Sequence, residues 1–203
     1  MGRVEEILSE SPIIASVSTL EDFQQACGCE QVSCVMLKFG DIDTIATLID
    51  TAHRHKKRVI VHLDSIKGVA KDVCGVKFLA KAGADCLNTT KPQLIGAIRE
   101  VGMVAIQVMF LVDTEALKTG IESINKNKPD AVVIMPSSIP GEIVKEMIKR
   151  TKVKLIAGGL LTKKEEIAQA LEKGIASVVT SRRELWDHGF SKGKAASGKL
   201  RIL

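Results

Sequence analysis

Arg58-Val59-Ile60-Val61-His62-Leu63-Asp64 is the stretch on which the fold turns. It is short and rich in β-branched residues, as a strand covered on both faces should be. Val59, Val61 and Leu63 form one face and are wholly apolar, whereas Ile60, His62 and Asp64 form the other and end in polar groups. In a closed barrel the outer strand face packs on helices. The inner face carries the core and, near the C-terminal strand ends, the site. The second set is therefore expected to point inward.

The same unit recurs on either side, about every twenty residues. Upstream lie a strand at Ile13–Val17, a helix capped by Ser18 or Thr19 and running through Ala26, a strand at Cys34–Phe39, and a helix that Asp41 opens and that ends near His55. Downstream, a helix from Val69 to Ala82 stops at Gly83, a natural helix terminator. Cys86–Thr89 is the next strand, and Pro92 stands in the following helix's first turn, where its missing N–H costs nothing. Val104–Leu111 is a strand, Asp113 caps a helix to Asn125, Ala131–Met135 is a strand, and Pro140 starts a helix. Lys154–Ala157 is a strand, Thr162-Lys163-Lys164-Glu165 matches a capping box for a helix ending at Gly174, and Ser177–Thr180 precedes a short helix at Arg182–Asp187.

Eight such units predict a parallel α/β sheet, and eight strands close a barrel. The expected architecture is a small single-domain (βα)8 TIM-like barrel over residues 12–188, followed by a basic, flexible tail over 189–203. An open doubly wound sheet is the alternative. No G-x-G-x-x-G follows the first strand, which argues against it.

The face rule extends to neighbouring strands. Val35, Leu37 and Phe39 face the helices, which turns Lys38 inward. Val104, Ile106 and Val108 are assigned to the helix side, which turns Gln107 inward, and Asn88 and Thr90 share one face of the fourth strand, assigned to the interior. Lys38, His62, Asp64, Asn88 and Gln107 are thus expected at one opening, as a polar binding site. Each also has a purely structural reading: an internally hydrogen-bonded residue, or a Lys38–Asp64 ion pair.

The last two strands end in Ala157-Gly158-Gly159-Leu160 and Thr180-Ser181-Arg182-Arg183. Glycines let backbone N–H groups approach a phosphate closely, and the following helix N-terminus adds a favourable field. In barrels this position is a frequent phosphate site. Gly158, Gly159 and Ser181 are therefore the expected phosphate anchor. The plainer reading of the glycine pair is a tight turn.

Composition bounds the rest. Of 203 residues, 45% are hydrophobic and 26% charged, an ordinary globular balance. No run reaches the roughly 18 apolar residues that span a bilayer, and the start lacks an apolar signal core, so the expected location is cytoplasmic with no membrane partner. Cys27, Cys29, Cys34, Cys74 and Cys86 show no zinc spacing and read as reduced thiols; no metal and no cofactor are expected. Net charge is +5, which permits a nucleic-acid partner. Tyrosine is absent, so RNA binding would rest on charge and hydrogen bonds rather than base stacking. Basic clusters at His53–Arg58, Lys126/Lys128, Lys149–Lys154 and Lys173 fall at helix C-termini, where the helix dipole favours them. An RNA-contacting face is compatible with that use. The sequence selects no surface for a homo-oligomer.

The chain also resembles a known family, the glycerol-3-phosphate-responsive (GlpP-type) antiterminators. The resemblance runs from Pro12 to Trp186. It rests on His62-Leu63-Asp64 with Ile66, Gly68 and Asp72; Ala105-Ile106-Gln107 with Phe110-Leu111; Lys128-Pro129-Asp130; Met135-Pro136; Ala157-Gly158-Gly159; and Thr180-Ser181 with Leu185-Trp186. It implies a regulator that binds glycerol 3-phosphate and acts on leader mRNA, preventing a terminator hairpin so that glycerol genes are transcribed. The phosphate would meet Gly158, Gly159 and Ser181, and the hydroxyls some of His62, Asp64 and Gln107. The chain departs from the family pattern at Lys38, at Asn88-Thr89-Thr90, at Val108, at Val133 where an acid is usual, and at Ser137 where a glycine is usual. Two other readings stand beside this one. One is a barrel enzyme acting on a small phosphorylated substrate, with Lys38, His62 and Asp64 as acid and base. The other is an interaction scaffold with a vestigial site.

Overall fold

Every strand pairs in parallel with the next, and the eighth returns to the first, closing the barrel in the order β1 to β8. The computed structural model describes Val4, Ile7, Leu8 and residues 12–187. The expected tail, 189–203, lies outside the described residues. The strands are β1 (Ile13–Val17), β2 (Cys34–Leu37), β3 (Arg58–His62), β4 (Cys86–Thr89), β5 (Val104–Phe110), β6 (Ala131–Met135), β7 (Lys154–Gly158) and β8 (Ser177–Thr180). The helices between them are α1 (Leu20–Gly28), α2 (Ile45–Arg54), α3 (Val73–Lys81), α4 (Ile95–Glu100), α5 (Thr114–Asn127), α6 (Gly141–Thr151) and α7 (Lys164–Glu172). No helix among the described residues is long and apolar enough to cross a membrane.

Strand alternation makes two cores. Val35, Leu37, Val59, Val61, Leu87, Ala105, Val132 and Leu155 join the helices in the outer one. Ile14, Met36, Ile60, Cys86, Ile106, Val133 and Ile156 fill the barrel, and Ile7 and Leu8 pack against them. Each buried Val, Leu, Ile or Met among them contributes about 1.5–3 kcal/mol on leaving water.

Two double-sided cores also explain where the face rule fails. Val104, Ile106 and Val108 belong to the barrel interior, not to the helix side. Gln107 therefore points outward, where its Nε2 donates to Ser123 Oγ of α5 at 3.1 Å. On a strand apolar on both faces, a single polar residue does not mark the inner one. Close helix contact supplied its partner instead: Gly120 of α5 sits so near β5 that a Cβ there would lie 1.9 Å from Met109 Cε.

Several helix starts also move. Asp41 does not open α2 directly; its Oδ1 accepts from the N–H groups of Asp43 and Thr44, and the helix begins at Ile45. The helix expected from Val69 begins at Val73, because Asp72 caps it by accepting from Cys74 and Gly75 N–H. Thr162 is not the cap of α7. Glu166 reaches back to accept from the N–H groups of Thr162 and Lys163, one residue later than the expected box. The β8–β1 seam is closed at the mouth by Arg183, whose Nε and Nη1 donate to Asp22 and Glu21 of α1 at 2.7 Å.

Candidate ligand site at the barrel mouth

The C-terminal strand ends surround a cavity of about 370 Å³. Lys38, His62, Asn88, Gly159 and Ser181 all line it. Each reaches it by strand geometry. Lys38 follows β2 and His62 ends β3, while Asn88 is the inner residue before the end of β4. Gly159 and Ser181 follow β7 and β8 directly. Gly158 lies just below, on the inner face, where a Cβ would meet Val133 Cγ1 at 3.3 Å and Met135 Cε at 3.5 Å.

The polar side chains are partly pre-oriented. His62 Nδ1 stands 2.6 Å from Asn88 Oδ1, so the ring donates there and keeps Nε2 for another partner. Asn88 is buried, and its Nδ2 rests on Met36 Sδ at 3.5 Å. The Lys38 ammonium has no hydrogen bond or ion pair among the described residues, which leaves a cation at the rim.

The loop after β7 is held open by its backbone. Gly159 and Leu160 have φ of +80° and +60°. A leucine in this region costs about 1–2 kcal/mol, and such strain concentrates at functional sites. Leu160 and Phe110 both line the mouth and are 78% and 57% exposed. Ser137 fixes the loop from β6: its Oγ donates to Gly159 O at 2.7 Å, and its N–H does so at 3.2 Å. Among the described residues, the N–H groups of Leu160 and Ser181 donate to nothing, so two donors remain at the expected anchor.

Two expected residues are elsewhere. Gln107 faces α5, as described above. Asp64 is carried away because β3 ends at His62 and a 3₁₀ turn, Leu63–Ser65, breaks the alternation. Its carboxylate accepts from Thr90 N–H at 2.7 Å and from the hydroxyls of Thr89 and Thr90 at 3.2 and 3.1 Å. It forms no pair with Lys38. The nearby cation is Lys71, whose Nζ donates to Leu63 O and Ile66 O. Burial pushes the Lys71 ammonium below its ordinary pKa, and Asp64 opposes that shift. Asp64 thus shapes the loop after β4, and Thr90 rather than Asp64 meets the cavity.

Ser16, Ser18, Phe110, Met135 and Thr180 also line the mouth. Ser16 alternates with Ile14 on the inner face of β1, and that alternation is the signal that marks it within the otherwise apolar run Ile13–Val17.

A closed parallel barrel with a polar cavity at its C-terminal mouth defines the class, a single-domain (βα)8 barrel. Residues 13–186 match the family model described as glycerol-3-phosphate responsive antiterminator. The chain belongs to that family. A crystal structure of a glycerol uptake operon antiterminator regulatory protein from Listeria monocytogenes superposes with a TM-score of 0.81 at 26% identity, covering 86% of this chain and 94% of that one. A glycerol uptake operon antiterminator-related protein from Thermotoga maritima gives 0.78 at 26% identity, covering 87% and 98%. The uncharacterized protein YgcP of Escherichia coli K12 is 25% identical over 181 residues, 89% of this chain and 94% of its own length. Barrel enzymes such as aldolases, at 16% identity or less, share the fold alone.

Proposed function

We propose that this protein is a cytoplasmic, glycerol-3-phosphate-responsive antiterminator that binds leader mRNA and controls genes of glycerol uptake and metabolism. The carrying observation is the mouth cavity, which sets Gly159, Ser181 and the free N–H groups at one end and Lys38, His62 and Asn88 at the other. A small molecule with a phosphate and two hydroxyls fits that division. The phosphate takes the donors around Gly158, Gly159 and Ser181. The hydroxyls meet His62 Nε2 and the Lys38 ammonium. Gln107 and Asp64 have no direct part.

A binding role is favoured over turnover by the position of Asp64. The trio of Lys38, His62 and Asp64 would make an acid–base site only if the carboxylate faced His62, and it is occupied by Thr89 and Thr90 instead. In a responsive regulator, ligand binding shifts the population of RNA-competent states and must favour one of them.

Calorimetric titration with glycerol 3-phosphate tests this reading. Saturable binding is expected. It should be lost in Gly159→Val, whose β-branched side chain suits a positive φ poorly, and weakened about tenfold in Ser181→Ala, which removes one hydroxyl donor. No binding by the unaltered protein would sink the proposal, as would turnover of the ester.

A further inference from the structure

The opposite end of the barrel carries a second feature that the ligand mouth does not use. A groove of about 330 Å³ lies where α5 and α6 run into β6 and β7, lined by Lys128, Pro129, Asp130, Thr151, Lys152 and Lys154. Lys126 and Lys149 stand in the last turns of the same two helices. We propose that this groove is the RNA-contacting surface of the protein, taking the phosphate backbone of the transcript. The inference rests on the RNA-binding reading given above and assigns it a place.

The backbone at two of these lysines is the first argument. Lys128 and Lys152 terminate α5 and α6 in the left-handed region, with φ of +53° and +56°. At three other helix–strand turns on this face the residue of positive φ is a glycine, Gly83, Gly102 and Gly174 at +95°, +81° and +100°, and at the turn before β3, away from the groove, it is Lys56 at +59°. Glycine takes this conformation without steric penalty and lysine does not. The helix dipole is already answered by Lys126 and Lys149, so it does not require a lysine in the strained position as well. Lysine breaks the glycine preference in three turns, and Lys128 and Lys152 are the two that stand in adjacent turns and line one groove, which points to a use for the paired cations.

Charge is the second. Lys128 and Lys152 are exposed, and neither ammonium has an ion-pair partner among the described residues. Among the described residues, the acidic groups Asp130 and Glu146 are engaged. Asp130 accepts from Ala105 N–H at 2.8 Å and faces Arg99 at 3.8 Å, and Glu146 pairs with Arg150 at 2.9 Å. Among the described residues the lining carries three basic side chains, Lys128, Lys152 and Lys154, against one acidic one, Asp130. Asn125 Nδ2 reaches Arg150 O at 3.5 Å and ties the two helix ends together.

The chemistry of the partner follows from what the face lacks. The chain has no tyrosine, and its single tryptophan, Trp186, is buried. Bases have no indole or phenol on which to stack, so contact falls on phosphates and is tolerant of sequence. The geometry also joins the two ends of the molecule. The strands that leave the groove, β6 and β7, finish at Met135 and Gly158, beside the ligand mouth.

The test uses the full chain and a labelled RNA hairpin with single-stranded flanks, titrated across a salt series. The double variant Lys128→Gly/Lys152→Gly suits the left-handed positions, so its thermal midpoint should hold or rise while RNA affinity falls at least about tenfold. The slope of log K against log salt should drop by about 0.7 for each lysine removed. Lys163→Gly/Lys164→Ala, matched in charge but at the mouth end, should leave both readings unchanged. Unaltered affinity and slope in the groove variant, with RNA still bound, would overturn this surface and spare the RNA reading. No RNA binding by the unaltered protein at low salt would overturn both. Binding of poly-glutamate in place of RNA would assign the groove to an acidic protein and overturn the proposal as well.

Discussion

His62 Nδ1 and Asn88 Oδ1, on adjacent strands of the barrel, stand 2.6 Å apart and fix the ring that faces the mouth. Asn88→Ala removes the acceptor and leaves the imidazole free to rotate. A lost hydrogen bond of this kind is worth about 1–1.5 kcal/mol, or about a tenfold loss in affinity. Titration with glycerol 3-phosphate should show that loss with the fold intact by circular dichroism. Unchanged affinity would mean that the ring needs no orientation.

Gln107 gives a prediction of the opposite kind. Its Nε2 bonds Ser123, and its Oε1 is buried with no partner. Replacing it with Met keeps the volume and removes an unsatisfied acceptor, while Ser123 Oγ retains Asn127 Nδ2 at 3.3 Å. Gln107→Met should leave ligand affinity unchanged and shift the urea midpoint by less than about 1 kcal/mol equivalent, in either direction. A large loss of ligand binding would return Gln107 to the site.

These two residues show what the sequence could carry. The eight strands were legible because each is a short apolar run set off by capping residues and glycines, and β1, β4, β6 and β8 begin and end where the pattern places them. Facing was legible at Lys38 and His62, where a polar group ends an otherwise apolar strand at the mouth. It failed at Gln107 because strands in this fold are buried on both sides, and the deciding contact, Gly120 against Met109, depends on how closely α5 packs on β5, which alternation along one strand does not report. Asp64 failed for another reason: alternation holds only while the chain stays extended, and the turn at Leu63–Ser65 ends it. Leu160 was invisible, since nothing in the letters announces a leucine at positive φ.

Acid should reveal the cap of α7. The Glu166 carboxylate accepts from Thr162 and Lys163 N–H, and those bonds hold its pKa below the ordinary value. A depressed folded pKa contributes stability that is complete above the unfolded pKa and is lost as pH falls through the folded one. Stability should therefore decline on acidification through the carboxylate range, to which Asp22 and Asp41 add in the same direction. Glu166→Gln should be less stable than the unaltered protein at about pH 7 and closer to it at about pH 3, by urea midpoints. A constant gap between the two would exclude the cap as the source.

Gly75 sets a limit on the packing of α3. A Cβ at this position would lie 1.8 Å from Ala70 O, a backbone atom that has no rotamer with which to move aside. Gly75→Ala should therefore cost about 3 kcal/mol, the upper part of the overpacking range, although alanine is the better helix former. A neutral result would mean that the loop from Gly68 to Asp72 shifts freely.

Ser137 connects the end of β6 to the loop after β7. Its hydroxyl and its N–H both donate to Gly159 O, so the loop after β7 is pinned to the end of β6. A loop pinned before binding loses less entropy on binding, and that difference appears as affinity. Ser137→Ala removes the side-chain bond and keeps the backbone one; Ser137→Gly also loosens the chain between them. If Ser137 acts by pre-ordering the anchor, affinity for glycerol 3-phosphate should fall in steps, about threefold in the first variant and about tenfold in the second, with the thermal midpoint little changed. Inorganic phosphate, which touches only the anchor, should lose the same factors. If phosphate binding is unaffected while glycerol 3-phosphate weakens, Ser137 contacts the glycerol end directly, and the anchor at Gly159 is rigid without it.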